Sequence, residues 1–418
     1  MEFFKETKTI STQIGLIPEG WEVKEVREIG QVVTGTTPRT KIKEYWSGKY
    51  PFVTPTDISE SKYVSKTERT VSEEGARVGR LIPRDSVLIT CIASIGKSAL
   101  AFAECITNQQ INAIICNDKI DPHYVFYVIK FRENALKDSA GKTTNAIIKK
   151  SLFEKFLLPV PRKYDEQKKI SHILSIIDEL IQQTDSIIQK TQELKRGLMQ
   201  ELLTKGIGDK EFKDTEHGRL PKTWKIQPVS EICEKPEYGY TQSATDEAIG
   251  PKFLRITDIQ EGKVKWDDVP FCDCPDELVK KYKLKNGDIL FARTGATTGK
   301  SYMIGECPGV VFASYLIRIR TKDEVMPEYL FYFFNSEFYW EQVRKKMGGS
   351  AQGGMNASLL SEIKVHFPPK EEQQKIITIF AHVDEQIDGE KATKEIIETL
   401  KKGLMQILLT GQVRIKVN

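Results

Sequence analysis

Excess charge of one sign is what this 418-residue chain lacks most: 62 Lys and Arg stand against 58 Asp and Glu, a formal net charge of only +4. That near-balance excludes a polybasic tail protein, and any contact with nucleic acid must come from local patches. Histidine is scarce, with five scattered residues and no pair at metal-ligand spacing, so no metal site is expected. The seven cysteines form no zinc pattern, and the nearest pair, Cys272 and Cys274, is followed by no second pair. They read as reduced thiols, most of them packing residues. Long hydrophobic runs are missing: none approaches the roughly 18 residues of a membrane span, so no membrane partner is expected. Residues 1–8 carry acids and lysines without an apolar stretch, and no signal peptide is expected. The 39% apolar fraction is that of a folded protein with room for two or three domains.

What is present comes twice. Gly197-Leu198-Met199-Gln200 followed by Leu202-Leu203-Thr204 returns as Gly403-Leu404-Met405-Gln406 followed by Leu408-Leu409-Thr410, an offset of about 206 residues. Other landmarks keep the same order. Pro18-Glu19-Gly20-Trp21 matches Pro221-Lys222-Thr223-Trp224, and Thr56-Asp57-Ile58 matches Thr257-Asp258-Ile259. The β-like run Asp85 to Ile89 matches Asp288 to Ala292, and each leads to Gly-Lys-Ser, at Gly96 and Gly299. Pro122 and Pro327 open matching helices, and Glu166-Gln167-Lys168-Lys169-Ile170 matches Glu372-Gln373-Gln374-Lys375-Ile376. Two similar halves imitate a homodimer, which suits a target that carries two sites on a rod, such as duplex DNA.

Each half has two textures. Its first roughly 150 residues mix short β-branched runs with turn residues, an α+β pattern. Its last 40 or so read as one helix with apolar residues at steps of three and four. The seam expected in the first copy is Ile170, Leu174, Ile177, Ile181, Ile188, Leu194, Leu198 and Leu202, with Thr184 and Thr191 filling two positions. In the second it is Ile376, Phe380, Val383, Ile387, Ile397, Leu400, Leu404 and Leu408. Gly206 and Gly411 follow as C-terminal stops. A rod of about 38 residues is about 57 Å long and cannot bury its stripe alone. The two stripes match in length and phase, so an intramolecular antiparallel pair is expected over packing of each helix on its own domain. The boundaries expected are 1–162 for the first globular domain, 163–206 for the first long helix, 207–369 for the second domain, and 370–418 for the second helix and tail.

Several enzyme motifs are approached and missed. Gly295-Ala296-Thr297-Thr298-Gly299-Lys300-Ser301 has three residues between its glycines where a phosphate-binding loop needs four, and the first copy has no upstream glycine. Asp121-Pro122-His123-Tyr124 approaches an amino-methyltransferase motif but reads better as a helix start. Glu261-Gly262-Lys263 lacks the upstream acid of a nuclease. No nucleophile–base arrangement recurs in both halves, so catalysis by this chain alone is not expected.

The features that suit DNA are loops rich in hydroxyl, amide and basic side chains, which contact phosphates and base edges. In the first copy the candidates are Thr36, Thr37, Arg39, Lys41 and Lys43, then Lys97, then Asn108 and Gln109, then Lys142, Thr143 and Thr144. In the second they are Tyr240 and Thr241, then Arg255, then Arg293, Thr297 and Lys300, then Ser314, then Arg344, Lys345, Lys346 and Gln352. The landmarks match between copies while these loops differ, as two readers of different sequences would.

The paired Pro-x-x-Trp openings, the Asp-x-Leu runs leading to Gly-Lys, and the Glu-Gln-x-Lys-Ile helix starts with their Gly-Leu-Met-Gln…Leu-Leu-Thr endings resemble the specificity subunit of type I restriction–modification systems. The resemblance covers nearly the whole chain. It implies an α+β fold of two similar globular α/β target-recognition domains separated by two long helices in an antiparallel coiled coil, a pseudo-twofold internal repeat. It implies a non-catalytic, cytoplasmic prokaryotic subunit that reads a bipartite double-stranded DNA target across a fixed gap. The implied partners are two modification (methyltransferase) subunits and the restriction (translocase/nuclease) subunits. S-adenosylmethionine, ATP and Mg are expected on those partners and none on this chain. The long helices would form the partner surface, with apolar residues outside the seam such as Leu180, Ile187, Ile379 and Ile407. The alternatives are the recognition subunit of a bifunctional type II system, a coiled-coil scaffold that binds protein, or an independent methyltransferase or NTPase.

Overall fold

The apolar runs after Asp85 and Asp288 form the buried strands Val87–Thr90 and Ile289–Ala292. The structure, a computed structural model, describes residues 2–92, 94–141, 147–208, 211–216, 218–260, 262–347 and 354–417. It divides into two units, Met1–Ser186 with Lys391–Asn418, and Ile187–Glu390.

In the first unit, Val87–Thr90 is the middle of a five-stranded sheet ordered Gly30–Thr34, Ile111–Cys116, Val87–Thr90, Ser98–Ala101, Tyr63–Val64. Alternation assigns its side chains to opposite faces. Val87 and Ile89 join a core with Tyr124, Val125 and Val128 of the helix Pro122–Phe131. Leu88 faces the other way, into a cluster with Val53, Ile82 and Cys105 of a second, four-stranded sheet. The second unit repeats this division. Its sheet runs Glu237–Tyr238, Leu316–Ile319, Ile289–Ala292, Ser301–Met303. Ile289 and Phe291 pack against Tyr329 and Leu330 of the helix Pro327–Phe333, while Leu290 packs with Leu254, Val310 and Phe312.

The Pro-x-x-Trp openings lead into strands that pair with the segments before the long helices, Trp21–Glu25 with Leu157–Pro161 and Lys225–Pro228 with Lys364–Phe367. The glutamine of each Glu-Gln-x-Lys-Ile motif is a buried clamp. Gln167 accepts from the Asp121 N–H (2.9 Å) and donates to the Pro161 carbonyl (2.9 Å). Gln373 accepts from the Met326 N–H (2.8 Å) and donates to the Pro368 carbonyl (2.9 Å). Each therefore ties a short helix start to the root of a long helix, which explains why the motif recurs. Asp121 caps its helix by accepting from the Tyr124 N–H at 3.2 Å, so Asp121-Pro122-His123-Tyr124 is a helix start.

The long helices are Tyr164–Lys205 and Lys370–Leu409. Gly206 (φ 68°) and Gly411 (φ 72°) end them in the left-handed conformation. In the first unit Asp178 pairs with Lys401 at 2.5 Å and Asp185 with Lys394 at 2.6 Å, so advance along one helix is retreat along the other: the pair is antiparallel. In the second unit Lys195 pairs with Asp384 at 2.5 Å. Ile170, Leu174, Ile177, Ile376, Phe380, Val383, Ile387 and Leu408 are buried, and Ile181, Ile188, Leu198, Leu202, Ile397 and Leu404 are half-buried.

Two corrections apply to the expected seam. Leu194 and Leu400 stand 55% and 51% exposed, so they lie outside it. At the C-terminal ends Met199, Leu203, Met405 and Leu409 are buried, each one position on from the expected Leu198, Leu202, Leu404 and Leu408, of which Leu408 alone is also buried. The cause is that the helix ends also pack on the globular cores. Met199 and Leu203 join the second unit's core with Trp224, and Met405, Leu408 and Leu409 join the first unit's core with Trp21. Packing on the same unit's core and pairing between helices therefore coexist. Of the apolar residues expected outside the seam, Leu180 and Ile187 are exposed, while Ile379 and Ile407 are half-buried.

Candidate nucleic-acid interface

Four loops meet at one end of each unit's main sheet, held by the same main-chain hydrogen bonds. The Thr36 N–H donates to Thr107 (2.8 Å) as Tyr240 does to Phe312 (2.8 Å). Cys91 donates to Gln110 (2.8 Å) as Arg293 does to Tyr315 (3.0 Å). Ile148 donates to Cys91 (2.9 Å) as Met355 does to Arg293 (3.0 Å). Gly96 donates to Thr90 (2.9 Å) as Gly299 does to Ala292 (2.8 Å). A shared backbone thus carries different side chains in the two copies, the arrangement two readers of different sequences require.

Close approach of these loops depends on one glycine in each unit. A Cβ on Gly35 would sit 2.1 Å from the Asn108 carbonyl oxygen, and one on Gly239 would sit 2.3 Å from those of Phe312 and Ala313. In the first unit this brings Thr36, Thr37, Asn108 and Gln109 together, and Thr37 Oγ1 donates to Gln109 Oε1 at 2.7 Å. Arg39, Lys41 and Lys43 continue outward from that loop, and Lys97 sits on the Gly-Lys turn; all four are exposed and in no ion pair among the described residues. In the second unit Tyr240, Ser314 and Arg293 lie in the shared framework, with Thr241, Thr297 and Lys300 exposed around it. Lys142, Thr143, Thr144 and Gln352 lie outside the described residues.

Three expected contacts are engaged within their own unit. The Arg255 guanidinium forks onto Asp258 (2.8 and 3.1 Å), three residues on. Arg344 pairs with Glu337, and Lys346 pairs with Glu362 at 2.5 Å. Lys345 between them is exposed and free of ion pairs among the described residues.

The structure adds neighbours to these candidates, and among them Arg80, Arg69 and Trp46 lie outside the loops singled out from the sequence. Arg80 reaches the Thr34 carbonyl through Nη1 at 2.7 Å, and its N–H donates to Thr36 Oγ1 at 3.1 Å, bracing the first unit's loop. Tyr238 lies under the Arg293 guanidinium with 4.9 Å to its ring centroid. Tyr315, 60% exposed, occupies the turn that matches Gln110. Arg69 stacks 3.5 Å over Trp46, just beyond the basic stretch. An aromatic at a turn was the available signal for Tyr315 and Trp46, whereas Arg80 lies more than 40 positions from Thr34 and Thr36, and Arg69 lies 23 from Trp46.

Cys91 holds the place of Arg293 in the first unit. It is 3% exposed and accepts from Asn112 Nδ2 at 3.1 Å, and burial pushes its thiol up to about 11. It is therefore an inert packing residue. In the loop that approaches a phosphate cradle, the N–H groups of Thr298, Gly299 and Lys300 all donate to main-chain carbonyls, closing a tight turn. They are spent inside the fold and do not converge on an anion.

The family model for the type I restriction modification DNA specificity domain matches this chain twice, over residues 18–196 and 221–399. The chain is 28% identical to the type I restriction enzyme MjaVIII specificity subunit of Methanocaldococcus jannaschii, across 100% of this chain and 98% of that protein. It is 24% identical to the type I restriction enzyme EcoKI specificity subunit of Escherichia coli K12, across 88% of this chain and 84% of that one. Its fold is similar to that of a type I restriction–modification system S subunit from M. genitalium, with a TM-score of 0.60 at 16% identity, covering 95% of this chain and 97% of that one. The doubled domain match, the full-length relatives and the shared fold agree: the chain belongs to the type I restriction–modification DNA specificity family.

Proposed function

We propose that this chain is the sequence-specific DNA-recognition subunit of a type I restriction–modification complex, each unit reading one half of a bipartite duplex target. The observation that carries the reading is the shared loop framework: equal main-chain bonds in both units, with Thr, Asn and Gln presented by one and Tyr, Arg and Ser by the other. Phosphate contacts would come from the exposed lysines and Arg39, and base contacts from the amide, hydroxyl and guanidinium groups between them.

Two modification subunits would supply adenine methylation with S-adenosylmethionine, and restriction subunits would supply ATP- and Mg-dependent translocation and cleavage. The target adenine must leave the stack to be methylated, so this chain gives register and its partners give chemistry. The 42 residues of the first long helix span about 63 Å at 1.5 Å per residue, long enough to hold reading loops about one DNA turn or more apart. The gap in the target would therefore follow helix length. Deleting about four residues from each long helix should shorten the methylated motif's gap. A motif with unchanged spacing contradicts the spacer role, and methylation without any two-part motif contradicts recognition itself.

A further inference from the structure

Most arginines of the second unit have a carboxylate: Arg255 has Asp258, Arg318 has Glu237, Arg320 has Asp288, and Arg344 has Glu337. Arg293 has none among the described residues, yet its position is tightly fixed. Its N–H donates to Tyr315 and its carbonyl accepts from Met355, both at 3.0 Å, so the main chain is held on both sides. Its guanidinium lies over the Tyr238 ring, and the Tyr238 hydroxyl accepts from the Ala357 N–H at 3.0 Å, which anchors that ring. Exposed Tyr315 and Lys300 flank it.

A guanidinium with no carboxylate partner among the described residues, backed by an aromatic face and set among the candidate DNA-contacting loops, can offer its fork to a planar pair of acceptors. Guanine offers that pair in the major groove, O6 and N7 side by side. Phosphate also accepts from arginine, but the anchored Tyr238 ring, 4.9 Å from the guanidinium carbon, restrains where the fork sits, which matters for a base edge at a fixed position more than for a phosphate. The first unit places buried Cys91 at the equivalent position, so the feature belongs to one unit alone.

Resting on the recognition role above, we propose that Arg293 reads a guanine in the half-site recognised by the second unit, with Tyr238 as its positioning residue. The first unit reads its half-site without an arginine at that place.

The test compares wild type, Arg293→Ala and Arg293→Lys, each expressed with the modification subunits, by long-read methylome sequencing. Exchange of residues 221–360 with another family member identifies the second unit's half-site. The expected result is a guanine in that half-site whose discrimination falls about 10-fold or more in Arg293→Ala. The other half-site should stay unchanged. Arg293→Lys should relax the same position while overall methylation persists, because an ammonium keeps the charge and loses the fork. An unchanged motif, a uniform loss of methylation in both variants, or a wild-type half-site without guanine overturns the proposal. If wild type gives no two-part motif, the recognition role fails first and the proposal with it.

Discussion

The Tyr127 hydroxyl donates a 2.5 Å hydrogen bond to the Asp178 carboxylate, whose other oxygen meets Lys401 Nζ at 2.5 Å. The second unit repeats the trio: Tyr332 donates to Asp384 at 3.0 Å, and Asp384 meets Lys195 at 2.5 Å. In each unit one carboxylate on a long helix thus joins the globular core to the other long helix. Burial, reinforced by the neighbouring aspartate, raises both phenols well above their usual range, so each remains a donor.

Tyr127→Phe should cost about 1 kcal/mol and Asp178→Asn about 2 kcal/mol, because the second change also leaves Lys401 without its counter-charge. The double variant should lose less than the sum, with coupling of about 0.5 kcal/mol or more in urea denaturation. Strict additivity would mean that the bond in the trio carries no stability.

Gln167→Ala and Gln373→Ala should each cost about 2–4 kcal/mol, since each change strands at least two buried main-chain groups at 1–3 kcal/mol apiece. Similar losses in chemical denaturation are expected, because the partners and distances match. A loss below about 0.5 kcal/mol in either variant would show that water replaces the clamp.

The repeat, the long helices and their glycine stops were legible because period and composition are local signals. Ile170, Leu174, Phe380 and Leu408 were legible as apolar stripe positions. Leu194 and Leu400 were not, because a stripe cannot show that the helix ends turn toward a globular core; Met199, Leu203 and Met405 take that role. In the loops, residue types pointed to DNA, but neighbours did not. Thr37 and Gln109 lie 72 positions apart, and Thr34 and Arg80 lie 46 apart. The fates of Arg255 and Arg344 were set by Asp258 and Glu337, acids close in sequence that compete for the charge.

Acid should loosen the pairing of the terminal strands Phe3–Lys5 and Val413–Ile415. Burial opposes ionisation of Glu6, but hydrogen bonds from the Lys8 N–H, Arg414 and the Thr7 N–H hold its carboxyl below its ordinary value. A depressed folded-state value stabilises the fold fully above the ordinary value near 4.5, and that stabilisation declines as pH falls through the folded value. Amide-exchange protection in residues 3–5 and 413–415, taken relative to the intrinsic rate at each pH, should therefore fall below about pH 4.5, and Glu6→Gln should flatten that dependence. Equal acid sensitivity in Glu6→Gln would remove Glu6 from the account.

Gly239→Ala should disturb the second unit's loops, because its Cβ would lie 2.3 Å from two carbonyl oxygens. The expected stability loss is about 1–3 kcal/mol. Recognition of one half-site should degrade while the other stays intact, and Gly35→Ala should act on the opposite half. Methylome profiles that degrade at both half-sites in either variant would contradict independent units.

The most direct measurement is long-read methylome sequencing of a host expressing this chain with its modification subunits, before and after exchange of residues 20–160 with another family member. The expected result is a two-part methyl-adenine motif in which the exchange rewrites one part and leaves the other part and the gap unchanged. A single continuous motif, or an exchange that rewrites both parts, would contradict it.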